Sequence, residues 1–282
     1  MEVLLAREMG FCFGVKRALT LVERAAAQHQ ELRTLGAVVH NRQVVARLES
    51  LGVRPARSLD EVASGAVAVP SHGAPPEVFA EVESRGLQLV DATCPMVKAA
   101  QKQARQLADD GFQVAVFGDP GHSEVKGVVA WARGRAVVVS DDADLARLAP
   151  SRKLAVLSQT TQSLAAFQRL VTRIIEQKLA TSSQIVVHNT ICNATSERQL
   201  AALELARQVD AMVVIGGRDS ANTRHLAELC GGVGVPTRQV EGEDELEAEW
   251  LADCRKVGVT AGASTPDWII EKVLERIRSL AH

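Results

Sequence analysis

The chain has 282 residues, 46% hydrophobic and 23% charged, with a formal net charge of −2, an ordinary globular composition that can fill one large core or two to three small ones. No stretch gathers lysine and arginine among aromatics, and aromatics are only 3% with no tyrosine, which argues against a nucleic-acid surface and against base-stacking platforms. No apolar run approaches the roughly 18 to 20 residues of a bilayer span, and the start MEVLLARE lacks a signal-peptide layout, so a cytoplasmic protein is expected.

In chain order, short apolar and β-branched runs alternate with longer amphipathic ones. Strands are expected at Val3–Ala6, Gly65–Pro70, Leu87–Ala92, Gln113–Gly118, Ala136–Ser140, Leu154–Ser158, Gln184–His188, Ala211–Gly217 and Val257–Gly262. Most are apolar on both faces, which suits parallel strands covered by helices on each side. Helices are expected over Val15–Gln28, Met96–Asp109, Glu197–Val209 and Asp267–Leu280, and over the run that Ser163 can cap, where Leu164, Phe167, Val171 and Ile174 form an apolar stripe. A further short helix, SEVKGVVAW, follows His122.

The five cysteines are odd in number and contain no C-x2-C or C-x4-C pair, which fits reduced thiols better than a disulfide framework or a zinc finger. Cys230 and Cys254 lie in or near helical apolar stripes and read as small hydrophobes. Cys12, Cys94 and Cys192 stand in strand-end turns, and each is followed 28 residues later by a polar turn: His40-Asn41, His122-Ser123-Glu124 and Ser220-Ala221-Asn222. A third set of turns, Ser71-His72-Gly73, Gln159-Thr160-Thr161 and Ala263-Ser264-Thr265, follows at looser spacing. Three copies of one βαβ-based unit produce this pattern. The expected fold is α/β in three lobes, each a small mostly parallel sheet flanked by helices; if the lobes are related by a pseudo-threefold axis, their functional edges face one another. The lobes are expected at residues 1–93, 94–190 and 191–282, the last carrying the C-terminal helix.

Post-strand turns are where open α/β sheets bind ligands. Three cysteines in register point to shared ligation, because a catalytic nucleophile needs one thiol and a base. Zinc prefers a compact tetrahedron, whereas a [4Fe-4S] cluster accepts dispersed cysteines and can leave one iron without a protein ligand. Glu124 opens a helix, where a carboxylate complements the dipole and, in a cavity, suits a general acid. Ser220, Asn222 and Ser264 are capping types that also suit phosphate binding at helix N-termini. No phosphate-loop or complete dinucleotide glycine motif is present.

The motifs GFCFGVKRA, VVHN, SHG, DATCP, GHSEVKG, QTTQS, ICNATSERQ and GVTAGASTPD occur in an order that resembles the IspH/LytB family of 4-hydroxy-3-methylbut-2-enyl diphosphate reductases, from the first strand to the last helix. The resemblance implies a central cavity between the three lobes and a [4Fe-4S] cluster, one per chain, on Cys12, Cys94 and Cys192, with one iron not ligated by protein. It implies reductive removal of the allylic hydroxyl of (E)-4-hydroxy-3-methylbut-2-enyl diphosphate, giving isopentenyl and dimethylallyl diphosphate in the last step of the non-mevalonate route. Glu124 then resembles the proton source, and Thr160 a residue ordering the substrate hydroxyl and a water. His40, His72, Ser220, Asn222 and Ser264 correspond to diphosphate contacts, His122 lies on the proton-delivery side while reaching substrate, and Thr195 resembles a hydroxyl that either supports such contacts from behind or lies close to the phosphate. The electron donor is expected to be a separate ferredoxin or flavodoxin.

Two positions depart from the pattern. Ala221 stands where many relatives carry a serine, which removes one hydroxyl contact worth about 1 kcal/mol. Phe13 follows Cys12 where smaller residues are common, and its size suggests a seal against water. A phosphate-ligand sensor and an iron-sulfur dehydratase are the competing readings. A sensor has no use for the Glu124 and Thr160 pair, and a dehydratase is redox-neutral.

Overall fold

The computed structural model describes residues 1–280. The order is β1 (Glu2–Leu5), α1 (Phe13–Gln28), β2 (Leu32–Leu35), α2 (Arg42–Ser50), β3 (Val53–Ala56), β4 (Ala66–Val69), α3 (Pro76–Ser84), β5 (Gln88–Asp91) and α4 (Pro95–Asp109). There follow β6 (Gln113–Phe117), α5 (Ser123–Trp131), β7 (Ala136–Val139), β8 (Lys153–Ser158), α6 (Leu164–Lys178), β9 (Gln184–Val187) and α7 (Asn193–Ala206). The chain continues through β10 (Ala211–Ile215), α8 (Ala221–Gly232), β11 (Thr237–Val240), the short α9 (Ala248–Leu251), β12 (Lys256–Ala261) and α10 (Asp267–Leu280).

The strands form three four-stranded sheets with orders β3-β2-β4-β5, β7-β6-β8-β9 and β1-β12-β10-β11. All pairings are parallel. Read from the opposite edge, the third sheet repeats the order of the other two, with β1 in the place of β5 and β9. Its register sets Val3 beside Val257 and Leu5 beside Val259. The sequence-based division puts Val3–Ala6 with residues 1–93, whereas the sheet joins that strand to residues 211–261. By packing, the chain falls into two compact units: Met1–Val15, His40–Ala46 and Asn193 onward, and Lys16–Val39 with Arg47–Cys192.

In the first unit, alternation along β10 sends Val213 and Ile215 to one face, against Ile269, Ile270, Val273 and Ile277 of α10. Met212 and Val214 face the other way, against Ala201, Ala202 and Leu205 of α7 and Leu226 and Cys230 of α8. Cys230 is thus the buried small hydrophobe its context suggests, its thiol pushed up to about 11 by burial. In the second unit, Val114 and Val116 of β6 pack with α4 and α5 through Ala104, Leu107, Val125 and Val128. Ala115 and Phe117 pack on α6 through Phe167, Leu170 and Ile174. Each buried valine, isoleucine or leucine contributes about 1.5–3 kcal/mol, so both faces of these central strands anchor the turns at their carboxyl ends.

The expected helices are present, with Ser163 accepting the Ala166 N–H at 3.4 Å as the cap of α6. Helix α7 spans Asn193–Ala206 rather than Glu197–Val209, with NATS forming its first turn. Strands β2, β3 and β11 were not anticipated. Among the described residues, no helix is long and apolar enough to cross a membrane.

Candidate functional site

Every residue singled out from the sequence lies at the carboxyl end of a strand or in the first turn of the helix that follows. The three cysteines occupy equivalent places: Cys12 and Cys192 immediately precede α1 and α7, and Cys94 is the N-cap of α4. All three are half-buried reduced thiols. Their backbone N–H groups donate to carbonyls of the third set of turns, Cys12 to Ala263 at 3.1 Å, Cys94 to Ser71 at 2.9 Å and Cys192 to Thr160 at 3.0 Å. The third turns are therefore real partners of the cysteine turns, and each pairs with the cysteine that closes its own sheet. Among the described residues, no group of three or more His, Cys, Asp or Glu side chains could hold a metal ion. The donor chemistry instead consists of three separate thiols, each at a helix N-terminus. That set suits a cluster whose irons take one sulfur each. Phe13 does not act as a seal, being 73% exposed.

In the second unit, Glu124 in the first turn of α5 is 3% exposed. The Thr160 N–H donates to its Oε1 at 2.7 Å and the Thr160 hydroxyl to its Oε2 at 2.9 Å. Burial pushes this carboxyl up to about 7, and the two Thr160 bonds offset only part of that shift. His122 is the N-cap of α5, its Nδ1 accepting the Glu124 N–H at 3.1 Å. An accepting Nδ1 leaves the proton of the neutral ring on Nε2. His72 is half-buried in the turn between β4 and α3, beside Gly73, whose φ of 78° lies in the left-handed region.

In the first unit, the turns before α2, α8 and α10 come together. Asn41 caps α2 by accepting the Val44 N–H at 3.0 Å, and Ser220 caps α8 by accepting the Thr223 N–H at 3.3 Å. The Ser264 hydroxyl donates to the His40 carbonyl at 3.2 Å. Gly217 approaches the same carbonyl so closely that a Cβ there would lie 2.6 Å from it. Burial pulls the His40 imidazole below its ordinary value, with Asp219 opposing and Arg224 reinforcing the shift. Asn222, 4% exposed in the first turn of α8, has neither its amide nitrogen nor its oxygen bonded to protein. Three helix N-termini, a neutral imidazole and an unsatisfied carboxamide form a place for an anion that accepts many hydrogen bonds. Thr195 is buried in the first turn of α7.

Sequence reasoning did not single out three buried supports. Gln159 accepts the Asp119 N–H through Oε1 at 3.1 Å and donates to Thr161 Oγ1 at 3.0 Å, tying the GHSEV turn to the QTTQS turn. Asn41 was seen only as part of its turn. Arg198 of α7 donates to the Gly10 carbonyl at 3.0 Å. The signal in each case was a polar side chain within a motif whose other members already had roles.

The sequence pattern of the LytB protein family matches residues 3–278. The chain is 44% identical over 280 residues to 4-hydroxy-3-methylbut-2-enyl diphosphate reductase of Geobacter metallireducens, covering 99% of this chain and 98% of that one. It is 43% identical over 282 residues to the protein of that name in Dehalococcoides mccartyi, covering 100% and 99%. Among solved structures, it resembles an (E)-4-hydroxy-3-methyl-but-2-enyl diphosphate reductase described as the terminal enzyme of the non-mevalonate pathway. That likeness has a TM-score of 0.71 and 39% identity, and covers 99% of this chain and all of the other. The E-1-hydroxy-2-methyl-but-2-enyl-4-diphosphate reductase of Plasmodium falciparum matches with a TM-score of 0.92 and 25% identity, over 100% of this chain and 88% of that one. Helix-opening thiols, a buried acid and an anion cradle thus sit on a chain whose full length follows one family, and the chain belongs to the LytB family.

Proposed function

We propose that the chain converts (E)-4-hydroxy-3-methylbut-2-enyl diphosphate, two electrons and two protons into water and either isopentenyl or dimethylallyl diphosphate. In this reading Cys12, Cys94 and Cys192 hold one [4Fe-4S] cluster per chain, with one iron not ligated by protein. When bound, the cluster supplies electrons and Lewis acidity to the reaction. His40, His72, Ser220, Asn222 and Ser264 bind the diphosphate, and Asn222 carries the plainest sign of it, a buried carboxamide awaiting a partner. His122 reaches substrate through its Nε2–H. A ferredoxin or flavodoxin supplies the electrons, and the cytoplasm is the proposed setting.

The observation that carries this reading is the pairing of Glu124 with Thr160. The Thr160 N–H keeps Oε1 as an acceptor, so the acid proton belongs on Oε2, facing the Thr160 hydroxyl. That hydroxyl can accept the proton and pass its own onward, toward an oxygen leaving as water. A carboxyl near 7 is half protonated at neutral pH, so it can both give and regain a proton during turnover.

The test is anaerobic purification followed by iron and sulfide analysis and a reductant titration with substrate. The expected result is brown protein that consumes two electrons per substrate. Full activity from colourless protein, or turnover without a reductant, overturns the reading.

A further inference from the structure

The three cysteine turns share a place in the fold but are not built alike. Before Cys94, the side chain of Asp91 accepts the Thr93 N–H at 3.0 Å, and before Cys192 that of Asn189 accepts the Ile191 N–H at 3.1 Å. In both, the residue three before the cysteine closes a local turn with its own side chain. The corresponding residue before Cys12 is Met9, whose thioether is only a weak acceptor and takes no such bond. That turn instead runs through Gly10, with φ of 77°, and its carbonyl is held by Arg198 Nη2 at 3.0 Å.

A second regularity concerns where the holding groups come from. Arg17, on the helix that follows Cys12, donates to the Thr93 carbonyl beside Cys94 at 3.1 Å. Gln103, on the helix that follows Cys94, lies 3.2 Å from Nε2 of His188 in the approach to Cys192. Arg198, on the helix that follows Cys192, reaches the approach to Cys12. Each post-cysteine helix thus grips the turn of the next cysteine, and at Cys12 that grip replaces a missing local one.

Arg198 is also unusual in its surroundings. It is 5% exposed, its Nη atoms donate only to the Ala194 and Gly10 carbonyls, and its Nε has no partner. Among the described residues no carboxylate pairs with it. A buried guanidinium without an anion is costly unless negative charge is supplied by something else.

We propose that Arg198 is a positioning residue for Cys12, holding its turn through the Gly10 carbonyl and offsetting the negative charge of a thiolate-ligated centre. This rests on the reading of Cys12 as a ligand given above. It assigns Arg17 the lesser version of the task at Cys94, where Asp91 already closes the turn.

The test compares Arg198→Met, Arg198→Lys and Arg17→Met. In the apo-protein, amide exchange in the segment 10–14 should rise about tenfold in Arg198→Met, with α10 and β10 unchanged. Arg17→Met should move segment 93–96 by less. In the iron-loaded protein, Arg198→Met should lose iron faster and reduce less readily. A tenfold change in the one-electron equilibrium corresponds to about 59 mV, while Arg198→Lys, keeping the charge, should retain the potential. If Arg198→Met yields no folded protein, Arg198→Lys carries the exchange and iron-loss measurements. Unchanged exchange at 10–14, or exchange raised evenly throughout the unit, overturns the positioning role. If the exchange result holds but the wild-type protein takes up no iron and sulfide, the positioning of the turn stands and the ligand reading fails.

Discussion

Replacing Glu124 by glutamine removes one titrating proton while keeping the shape of the site. The Thr160 N–H can still donate to Oε1, and the new amide can donate to the Thr160 hydroxyl, which turns to accept. The magnitude follows from the carboxyl's position, about 7 in the folded chain against an ordinary 4.5. The folded value is the higher one, so the folded chain holds the proton longer than the unfolded chain. The contribution is then fully present below about 4.5 and is lost as pH rises through about 7. Over the whole window the loss is about 3 kcal/mol, of which roughly 2 to 3 kcal/mol falls between pH 5 and pH 8. Urea unfolding of the apo-protein at these two pH values, wild type beside Glu124→Gln, reads it directly. The variant should gain stability relative to wild type by that amount on going to pH 8. In the loaded enzyme, Glu124→Gln should keep colour and substrate binding while turnover falls at least about a hundredfold. Parallel pH profiles for the two proteins would refute the burial argument, and unchanged turnover would remove Glu124 from the chemistry.

Thr160→Val deletes a bond that lowers the Glu124 carboxyl, so the alkaline limb of the pH–rate profile should move upward while turnover falls; an unmoved limb would count against the relay. Asn222→Ala removes polar atoms that bond to nothing in the protein, so the thermal midpoint should hold or rise. Affinity for inorganic pyrophosphate, measured by calorimetry, should fall about tenfold. Gly217→Ala places a methyl against the His40 carbonyl and should cost about 1–3 kcal/mol in stability together with anion affinity, read by denaturation and the same calorimetry.

The repeat was legible because its marks are chemical as well as periodic. Three cysteines, each followed at the same offset by a capping turn, announced three equivalent units, and all of those turns lie at strand ends. The strands found from sequence are the apolar central ones, such as AMVVI and LAVLS, whose burial on both faces leaves a continuous hydrophobic run. Those missed were short and mixed: LRTL, VRPA with a proline at an edge, and TRQV. The lone strand at the start could not reveal its partner, because nothing in EVLL specifies which sheet it completes. Asn222 and Ser220 were legible as capping types that also suit an anion. Sequence alone does not show which polar atoms capping uses: the Ser220 oxygen accepts the Thr223 N–H while its O–H stays available to a ligand, whereas Asn222 uses neither of its polar atoms within the protein. Phe13 misled because side-chain size says nothing of direction.

The place of β1 also governs the order in which the protein can be made. Its partner β12 lies about 250 residues downstream, so at ribosomal speeds of about 5 to 20 residues per second the leading strand waits roughly 10 to 50 s for a neighbour. The sheets of residues 32–91 and 113–187 can close in the meantime, each from its own contiguous stretch. Cys12 therefore emerges before Cys94 and Cys192 yet is seated after them, because the Ala263 carbonyl that its N–H reaches is made later than the Ser71 and Thr160 carbonyls that hold the other two.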